Sequence, residues 1–492
     1  MRQTVVALRL AGLAGASDRE LEATYYLGLM MSVYCHADAA EQSKWFGDEI
    51  SLKGDGFEML DMSTARMVFF ILRRVGSHGS GMARARRLAA FPVAGPKQMA
   101  AFMTTHSTLG AQFAGRISLG DAVCVAIRQA YEQWDGKGYP NHLRGEQICL
   151  PARLVQLASP VEVFSRRRGV EAAVTMARKH RGGQYDPTVV DLFCAHAPAV
   201  LAGLDQASDW DAVLDTEPQL SRRVSGADLD LVLVLEAMAD LVDLKSPYLA
   251  GHSRGVANLV SAAARTAGYP EDDVRALRRA ALIHDLGRLG VSNAIWDKPG
   301  PITEAESERV RLHPYLTDRM LARVSALGRS REIAARHHER LDGSGYPRGL
   351  TAASLTPQDR LLAAADAYHA MTEPRPQRAP LDPGQASRDL RAEVVAGRLD
   401  SEAVDAVLAA AGHRAPARRA WPGGLTAREV EVLGLLARGH SNREIGQRLV
   451  VTPKTAANHV EHIYAKLGVS SRAAATLYAT QHGLMGTFES AG

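Results

Sequence analysis

The stretch that organises this chain is HHERLDGSGYP at residues 337–347, because most of it occurs a second time. Residues 130–140 read AYEQWDGKGYP, and six of the eleven positions are identical at an offset of 207. The same offset pairs His106 with His313. Around both stretches apolar residues recur with the i, i+3, i+4 spacing of amphipathic helices, and alternation with period two is rare. We therefore predict an all-α protein that contains two tandem copies of one helical bundle.

Length and composition set the class of protein. A chain of 492 residues is too long for one core, so about three domains are expected. Hydrophobic residues at 46% and charged residues at 23% exclude a disordered chain or a coiled coil. No apolar run reaches the length of a membrane span, so no membrane partner is expected. The four cysteines form no C-x-x-C pair, which predicts reduced thiols in a cytoplasmic protein.

Stretches rich in Pro, Gly, Ser and Asp divide the chain. From His413 onward ten basic residues face five acidic ones, so the net charge of +5 there points to nucleic acid. The predicted segments are a helical domain at 1–204, a linker at 205–227, a second helical domain at 228–412, a linker at 413–424 and a C-terminal domain at 425–492.

The second copy contains residue types that bind metal ions. Hard divalent metals of the manganese and iron class take mixed imidazole and carboxylate ligands, and helices of a bundle can each supply one or two. Seven such residues together favour a metal site over separate, individually satisfied histidines. The candidate ligands are His252, His284, Asp285, His313, His337, His338 and Asp366.

These residues lie in motifs that resemble the HD-GYP family of phosphohydrolases, over about residues 228–412. The motifs are Gly251-His252-Ser253, His284-Asp285-Leu286-Gly287, His313-Pro314, residues 337–347 and Ala365-Asp366. The resemblance implies a tandem of HD-domain helical bundles and a binuclear metal centre. In the implied centre, His252, His284, Asp285 and Asp366 hold the first ion. Asp285 bridges to the second ion, and its other ligands are His313, His337 and His338. Two ions would supply an activated water for attack on phosphorus.

The resemblance also predicts the number of metals and the catalytic residues. Tyr248 stands where members with a third metal have Glu, so two ions are expected, iron or manganese rather than zinc or magnesium. Besides Asp285, Arg288 is implied as catalytic, because it replaces a lysine that faces the phosphate. The family's usual Asp at position 369 is His369.

Other residues are implied to bind substrate. Arg375 and Arg378 match a basic pair that grips substrate phosphates, although a solvated Pro/Arg loop is the alternative. Gly345, Tyr346 and Pro347 form the loop that marks enzymes acting on cyclic di-GMP; otherwise this loop simply ends a helix with glycines at positive φ.

The first copy has lost most of these ligands. Ala130-Tyr131 replaces His337-His338, Ser159 replaces Asp366, and Cys35-His36 replaces the His284-Asp285 dyad. His106, the counterpart of His313, is still a histidine. One histidine cannot hold a pair of divalent ions, so sensing, pairing or packing against the second copy is expected here. The counterpart of residues 228–251 would precede Met1, so either a helix was lost or the true start lies upstream.

The C-terminal segment predicts a helix-turn-helix. Thr426 with Glu429 and Ser441 with Glu444 are capping boxes, and Thr452 precedes a proline at a first helical position. Helices are therefore expected from about 426, 441 and 452.

This segment resembles the four-helix LuxR/FixJ-type DNA-binding domain over about residues 424–488. The resemblance rests on Leu425-Thr426-Ala427-Arg428-Glu429, Ser441-Asn442-Arg443-Glu444-Ile445, Thr452-Pro453-Lys454-Thr455, Asn458-His459-Val460 and residues 463–469. It implies that the third helix lies in the major groove of double-stranded DNA. The expected DNA-binding residues are Thr452, Lys454, Thr455, Asn458 and His459.

The sequence therefore predicts a transcription regulator that joins a binuclear metal phosphodiesterase domain to sequence-specific DNA binding. The substrate is a cyclic dinucleotide such as cyclic di-GMP or another phosphorylated nucleotide, and the DNA-binding form is a homodimer. Two alternatives remain open. The second copy could be a non-catalytic nucleotide or metal sensor, and the C-terminal segment could be a four-helix protein-interaction module.

Overall fold

The structure is a computed structural model that describes residues 1–31, 39–50, 64–76, 81–204, 213–214, 216–218, 231–413, 421–449, 451–482 and 484. Within these ranges every regular element is a helix, apart from three isolated bridges, so the all-α prediction is confirmed. The chain divides into two compact units, residues 1–413 and 414–492. None of the helices in these ranges is long and apolar enough to cross a bilayer.

The first copy forms its own hydrophobic core. Leu10, Leu27, Leu154 and Phe193 are among its fully buried side chains. Its helices are α1 (Arg2–Leu13), α2 (Asp18–Met30), α3 (Ala39–Phe46), α4 (Thr64–Arg74), α5 (Gly81–Arg116), α6 (Asp121–Arg128), α7 (Leu150–Arg168), α8 (Val170–Lys179) and α9 (Pro187–Leu201).

The second copy forms a separate core around Val260, Leu277, Leu362 and Val407. Its helices are α10 (Leu231–Asp243), α11 (His252–Thr266), α12 (Glu271–Ile283), α13 (Asn293–Trp296), α14 (Glu304–Arg311), α15 (His313–Leu321), α16 (Gly328–Ala334), α17 (Pro357–Met371), α18 (Pro383–Val395) and α19 (Ser401–Ala410).

The repeated Gly-Tyr-Pro loop has the same hydrogen bonds in both copies. In the second copy, the buried Glu339 carboxylate accepts from the backbone N–H groups of Arg348 and Leu350, each at 2.8 Å. In the first copy, the Glu132 carboxylate accepts from the N–H groups of Asn141 and Leu143, at 2.7 and 3.0 Å. All three positions are related by the offset of 207, so the duplicated sequence folds into a duplicated loop.

A buried carboxylate of the first copy contacts the second copy. Glu49 is fully buried, and its Oε1 lies 3.1 Å from Nζ of the buried Lys245. Its Oε2 accepts from the Ser292 hydroxyl at 2.6 Å, and its Oε1 accepts from the backbone N–H of Asn293 at 2.9 Å. These contacts lie inside one compact unit. The domain boundary at 205–227, most of which lies outside the described residues, stays a prediction from the repeat.

The C-terminal unit contains four helices with a small core around Leu433, Ile445 and Ile463. The helices are α20 (Ala427–Ala437), α21 (Asn442–Arg448), α22 (Pro453–Leu467) and α23 (Arg472–Gln481). Both predicted capping boxes are formed, and the Thr452 hydroxyl accepts from the Thr455 N–H at 3.1 Å. The predicted four-helix domain is therefore confirmed.

Candidate metal centre and DNA interface

The ends of several helices bring the candidate ligands of the second copy together. His252 begins α11, and the His284-Asp285 dyad follows α12 directly. The turn after the dyad is held by Thr317, whose hydroxyl donates to the His284 carbonyl at 2.9 Å and accepts from the Gly287 N–H at 2.8 Å. Gly287 packs so closely against the His313 carbonyl that a Cβ atom would not fit. Glycine after the dyad is therefore needed for α15 to approach.

Three of the histidines are oriented by their own backbone. Nδ1 of His284, His313 and His337 each lies 2.7 Å from the carbonyl oxygen three residues earlier in the chain. A donated Nδ1–H leaves Nε2 with its lone pair toward the centre of the bundle, which is the arrangement seen in metal-binding histidines.

Asp285 lies between two groups of histidines. Its Oδ2 is 3.7 Å from His252 Nε2 and 3.6 Å from His284 Nε2. Its Oδ1 is 3.3 Å from His313 Nε2 and 3.8 Å from His337 Nε2. The two oxygens of one carboxylate therefore face different sets of imidazole nitrogens.

Among the described residues, ligand atoms converge in four groups, each within 4.8 Å of one another, including His252 with His284 and Asp366, and His313 with His337 and His338. Nε2 of His284 and Oδ1 of Asp285 are buried and have no hydrogen-bond partner within the described part of the chain. Buried polar atoms without partners are costly, and divalent ions would satisfy both. The residues therefore fit a metal centre.

The electrostatics of the cluster keep its carboxylates ionised and some of its histidines neutral. Burial raises the pKa of Asp285, but Arg288 and His284 outweigh this effect and hold that pKa well below its usual range. Burial lowers the pKa of His337 to about 3, so its imidazole is neutral. Neutral imidazole and ionised carboxylate are the protonation states that bind metal ions.

Sequence reasoning missed Glu373, which orients His252. Its Oε2 lies 2.7 Å from His252 Nδ1, and its Oε1 lies 3.2 Å from His369 Nδ1. Burial lowers the pKa of His252, but its hydrogen bonds to Asp366 and Glu373 prevail and raise that pKa to about 9. His369, which replaces the family's Asp, thus contacts the centre through Glu373. The spacing of four residues between His369 and Glu373 is the signal that could have suggested this pair.

A cavity of about 300 Å³ opens beside the ligands, and two of the five predicted substrate residues line it. The Arg288 guanidinium lies 3.0 Å from Asp285 and 3.7 Å above the Trp296 ring. Tyr346 and Arg375 also line the cavity. The structure does not bring Gly345, Pro347 or Arg378 to its wall. Gly345 allows close backbone packing against Glu339 and Arg340, and Arg378 donates to the carbonyls of residues 370, 371 and 379.

The first copy has no comparable group of ligands among its described residues. Ser159 donates its hydroxyl hydrogen to Gln3 at 2.8 Å instead of facing a metal. His106 is buried, with its ring 6.1 Å from that of Tyr131. Cys35 and His36, the expected counterpart of the dyad, lie outside the described residues.

The predicted DNA-binding residues share the exposed face of α22. Thr452, Lys454, Thr455 and Asn458 are exposed and His459 is half-buried. The buried side chains of this helix are Ala456, Val460 and Ile463. Gly446 on the preceding helix approaches the Val451 carbonyl closely, which keeps the turn between α21 and α22 tight.

A helical bundle with paired histidine groups around one buried aspartate defines an HD-type metal centre. The chain belongs to the HD-domain family: the family description "HD domain" matches residues 97–189 and 236–403, more than half of the chain. The C-terminal segment, residues 424–479, matches "Bacterial regulatory proteins, luxR family". The chain thus combines tandem HD domains with a LuxR-type DNA-binding domain.

Similar proteins include cyclic dinucleotide phosphodiesterases. The chain is 32% identical over 371 residues to "3'3'-cGAMP-specific phosphodiesterase 3" of Vibrio cholerae, covering 74% of this chain and 80% of that one. It is 35% identical over 178 residues to "Cyclic di-GMP phosphodiesterase" of Thermotoga maritima, covering 36% and 48%. The crystal structure of a cyclic GMP-AMP-specific phosphodiesterase of V. cholerae (V-cGAP3) aligns with a TM-score of 0.53 and 26% identity, over 84% of this chain and 92% of that one.

Proposed function

We propose that the second copy hydrolyses a phosphodiester bond of a cyclic dinucleotide at a centre of two divalent metal ions, and that the C-terminal unit binds DNA. The observation that carries the proposal is the position of Asp285, whose two oxygens face His252 with His284 and His313 with His337. One carboxylate between two ligand groups is the arrangement that a bridging ligand requires.

The residues around the cavity suit a phosphodiester substrate. Bound divalent ions would supply an activated water and neutralise charge on the phosphate oxygens. Arg288 is held against Trp296 and faces the same cavity, where it can donate hydrogen bonds to a phosphate. Arg375 adds a second positive charge at the wall, and its contact with Glu373, at 3.1 Å, places it beside the His252 ligand group.

We infer that the metal ions are iron or manganese, because mixed imidazole and carboxylate ligands suit these ions better than magnesium. The candidate substrates are cyclic di-GMP and 3'3'-cGAMP, because the similar proteins are named for these two molecules. We also propose that the protein binds a near-palindromic DNA site as a homodimer in the cytoplasm, and the LuxR-type domain supports this proposal.

The decisive experiment combines metal analysis with a hydrolysis assay. Wild-type protein reconstituted with Mn²⁺ or Fe²⁺ should bind about two ions per chain and linearise a cyclic dinucleotide. Asp285→Ala should lose both properties and still bind DNA, whereas Asp405→Ala, at an exposed position, should keep all three. An Asp285→Ala variant with wild-type turnover would refute the proposed centre.

A sensor without catalysis is the second candidate, because the first copy already shows that this fold can lose its ligands. In that case the metal-loaded protein would bind a cyclic dinucleotide and leave it intact. The same assay, run with a binding measurement, separates the two functions.

A further inference from the structure

The buried carboxylate of Glu49, in the first copy, lies at the start of helix α13 in the second copy. Its Oε2 accepts from the hydroxyl of Ser292, the residue before α13, and its Oε1 accepts from the backbone N–H of Asn293, the first residue of that helix. The first N–H groups of a helix lack partners inside it, so a helix of four residues depends on acceptors from elsewhere. Glu49 therefore fixes the position at which α13 begins.

The same carboxylate joins two segments of the cavity beside the metal ligands. Its Oε1 also lies 3.1 Å from Nζ of Lys245, so it contacts the chain just before one segment and the start of the other. The cavity-lining residues of these segments are Ser246, Tyr248 and Leu249 after Lys245, and Ile295 and Trp296 in α13. A group from the first copy thus helps to build a wall of the proposed substrate site.

The two segments are also hydrogen-bonded to each other. Nδ2 of Asn293 donates to the Lys245 carbonyl at 2.5 Å and to the Asp297 carboxylate at 2.9 Å. The Ser246 hydroxyl donates to the same carboxylate at 2.6 Å. Side chains of Lys245, Ser246 and Asn293 are buried, and buried polar networks lose more than one contact when a member is removed. Glu49 is the contribution of the first copy to this network.

Trp296 carries the position of α13 to Arg288. The centre of the Arg288 guanidinium lies 3.7 Å from the centre of the Trp296 ring, and both residues line the cavity. A guanidinium over an aromatic face is held by a cation–π contact. The Nη1 group of Arg288 also donates to Asp285 at 3.0 Å, so the guanidinium is held at its edge by the carboxylate and on its face by the indole. A shift of α13 would remove the second of these supports.

We propose that Glu49 is a positioning residue for Arg288: it holds α13 from the first copy and, through Trp296, keeps the guanidinium where it can donate to a substrate phosphate. The inference rests on the proposed function, because it concerns the phosphate contact of that same site. It gives the first copy a part in the substrate site that requires no ligand of its own.

The test is a double-mutant cycle in the full chain reconstituted with Mn²⁺, with kcat/KM measured for cyclic di-GMP and 3'3'-cGAMP. Glu49→Ala should lower kcat/KM about tenfold, the lower end of the effect of a hydrogen bond to a charged group. The double variant Glu49→Ala with Arg288→Ala should be no worse than Arg288→Ala alone, because both changes act through one guanidinium. Losses that multiply would overturn the proposal, since they would mean that Glu49 acts independently of Arg288.

Two further variants separate positioning from a general loosening of the two copies. Arg116→Ala removes another charged contact between the copies, at 2.6 Å from Asp240, and should keep the wild-type kcat/KM. Glu49→Gln retains the volume and one acceptor oxygen, so it should lose less than Glu49→Ala, and it takes the place of Glu49→Ala in the cycle if that variant does not fold. An equal loss in Arg116→Ala would contradict the role of Glu49.

Hydrogen exchange measured by mass spectrometry tests the positioning without any substrate. In the Mn²⁺-loaded full chain, Glu49→Ala should speed exchange about fivefold in residues 286–297, as expected for the loss of one hydrogen bond, and leave residues 357–371 unchanged. If wild-type protein leaves both cyclic dinucleotides intact, the proposed function fails, whereas a selective change at 286–297 still supports the role of Glu49. Unchanged exchange at 286–297, or an equal increase in both segments, would overturn that role.

Discussion

At the scale of single residues, the sequence located the proposed ligands but not the groups that orient them. His252, His284 and Asp285 could be predicted because histidine and aspartate are metal-binding residue types and because these three lie in recognisable sequence motifs. Glu373 follows the end of α17 and pairs with a histidine 121 positions earlier, so no local pattern connects the two. Contacts of this kind arise from tertiary packing and become visible only in the structure.

Glu373→Ala should lower the affinity for Mn²⁺ about 10- to 100-fold, because groups that orient a metal-binding histidine contribute effects of that size. Glu373→Gln keeps an oxygen that accepts from His252 and should therefore lose less affinity. The exposed Glu308→Ala is the control. Equal affinity in wild-type and Glu373→Ala protein, measured by metal titration, would show that Glu373 does not orient His252.

At the scale of elements, local rules were enough to predict the first three C-terminal helices. Capping boxes at Thr426 and Ser441 and the Thr-Pro start at 452 set the boundaries, and the structure has helices from 427, 442 and 453. The repeated loop was also visible in the sequence. The way its glutamate binds two backbone N–H groups was not, because an acidic residue after a histidine pair has no fixed partner in sequence.

The loop offers a matched pair of substitutions. Glu339→Gln and Glu132→Gln each place an amide NH₂ group against a backbone N–H, so each should destabilise the protein by about 1–3 kcal/mol. Hydrolysis of a cyclic dinucleotide should fall only in Glu339→Gln, since Tyr346 lies in that copy's cavity. Thermal unfolding and the hydrolysis assay measure the two effects. A similar loss of hydrolysis in Glu132→Gln would contradict the expectation.

A separate prediction concerns α22, the helix expected to lie in the major groove of DNA. Asn458 is exposed on α22, and asparagine can pair with an adenine edge through two hydrogen bonds. Asn458→Ala should therefore weaken specific DNA binding by about 1–3 kcal/mol and change non-specific binding little. A gel-shift series at fixed salt on selected and random duplexes measures both affinities. Equal losses on the two duplexes would assign Asn458 a positioning role without base contact.

At the scale of the whole molecule, the sequence predicted two copies but not how they are joined. Two separate hydrophobic cores agree with the repeat. Charged contacts between the copies, within the part of the chain that the structure describes, include Glu49 with Lys245 and Arg116 with Asp240. These pairs are 196 and 124 positions apart, so neither composition nor periodicity could have indicated them.

Glu49→Ala should destabilise residues 1–413 by about 1–3 kcal/mol, because it removes a buried acceptor from the Ser292 hydroxyl and the Asn293 backbone N–H. Differential scanning calorimetry of the full chain should show a lower melting temperature for that unit. The transition of the C-terminal unit serves as an internal reference, and Glu308→Ala as the exposed control. An unchanged melting temperature would mean that the contact contributes little.

The duplicated Gly-Tyr-Pro loop has a consequence for how such chains are classified. This protein contains the tripeptide twice, and in each copy a glutamate carboxylate accepts from backbone N–H groups of the loop. Only one copy, however, retains a set of metal ligands among its described residues. The tripeptide therefore reports backbone geometry and not chemical competence. A survey that counts these loops would score this chain as two enzymes, whereas a survey that requires the histidine pair at 337–338 would score it as one.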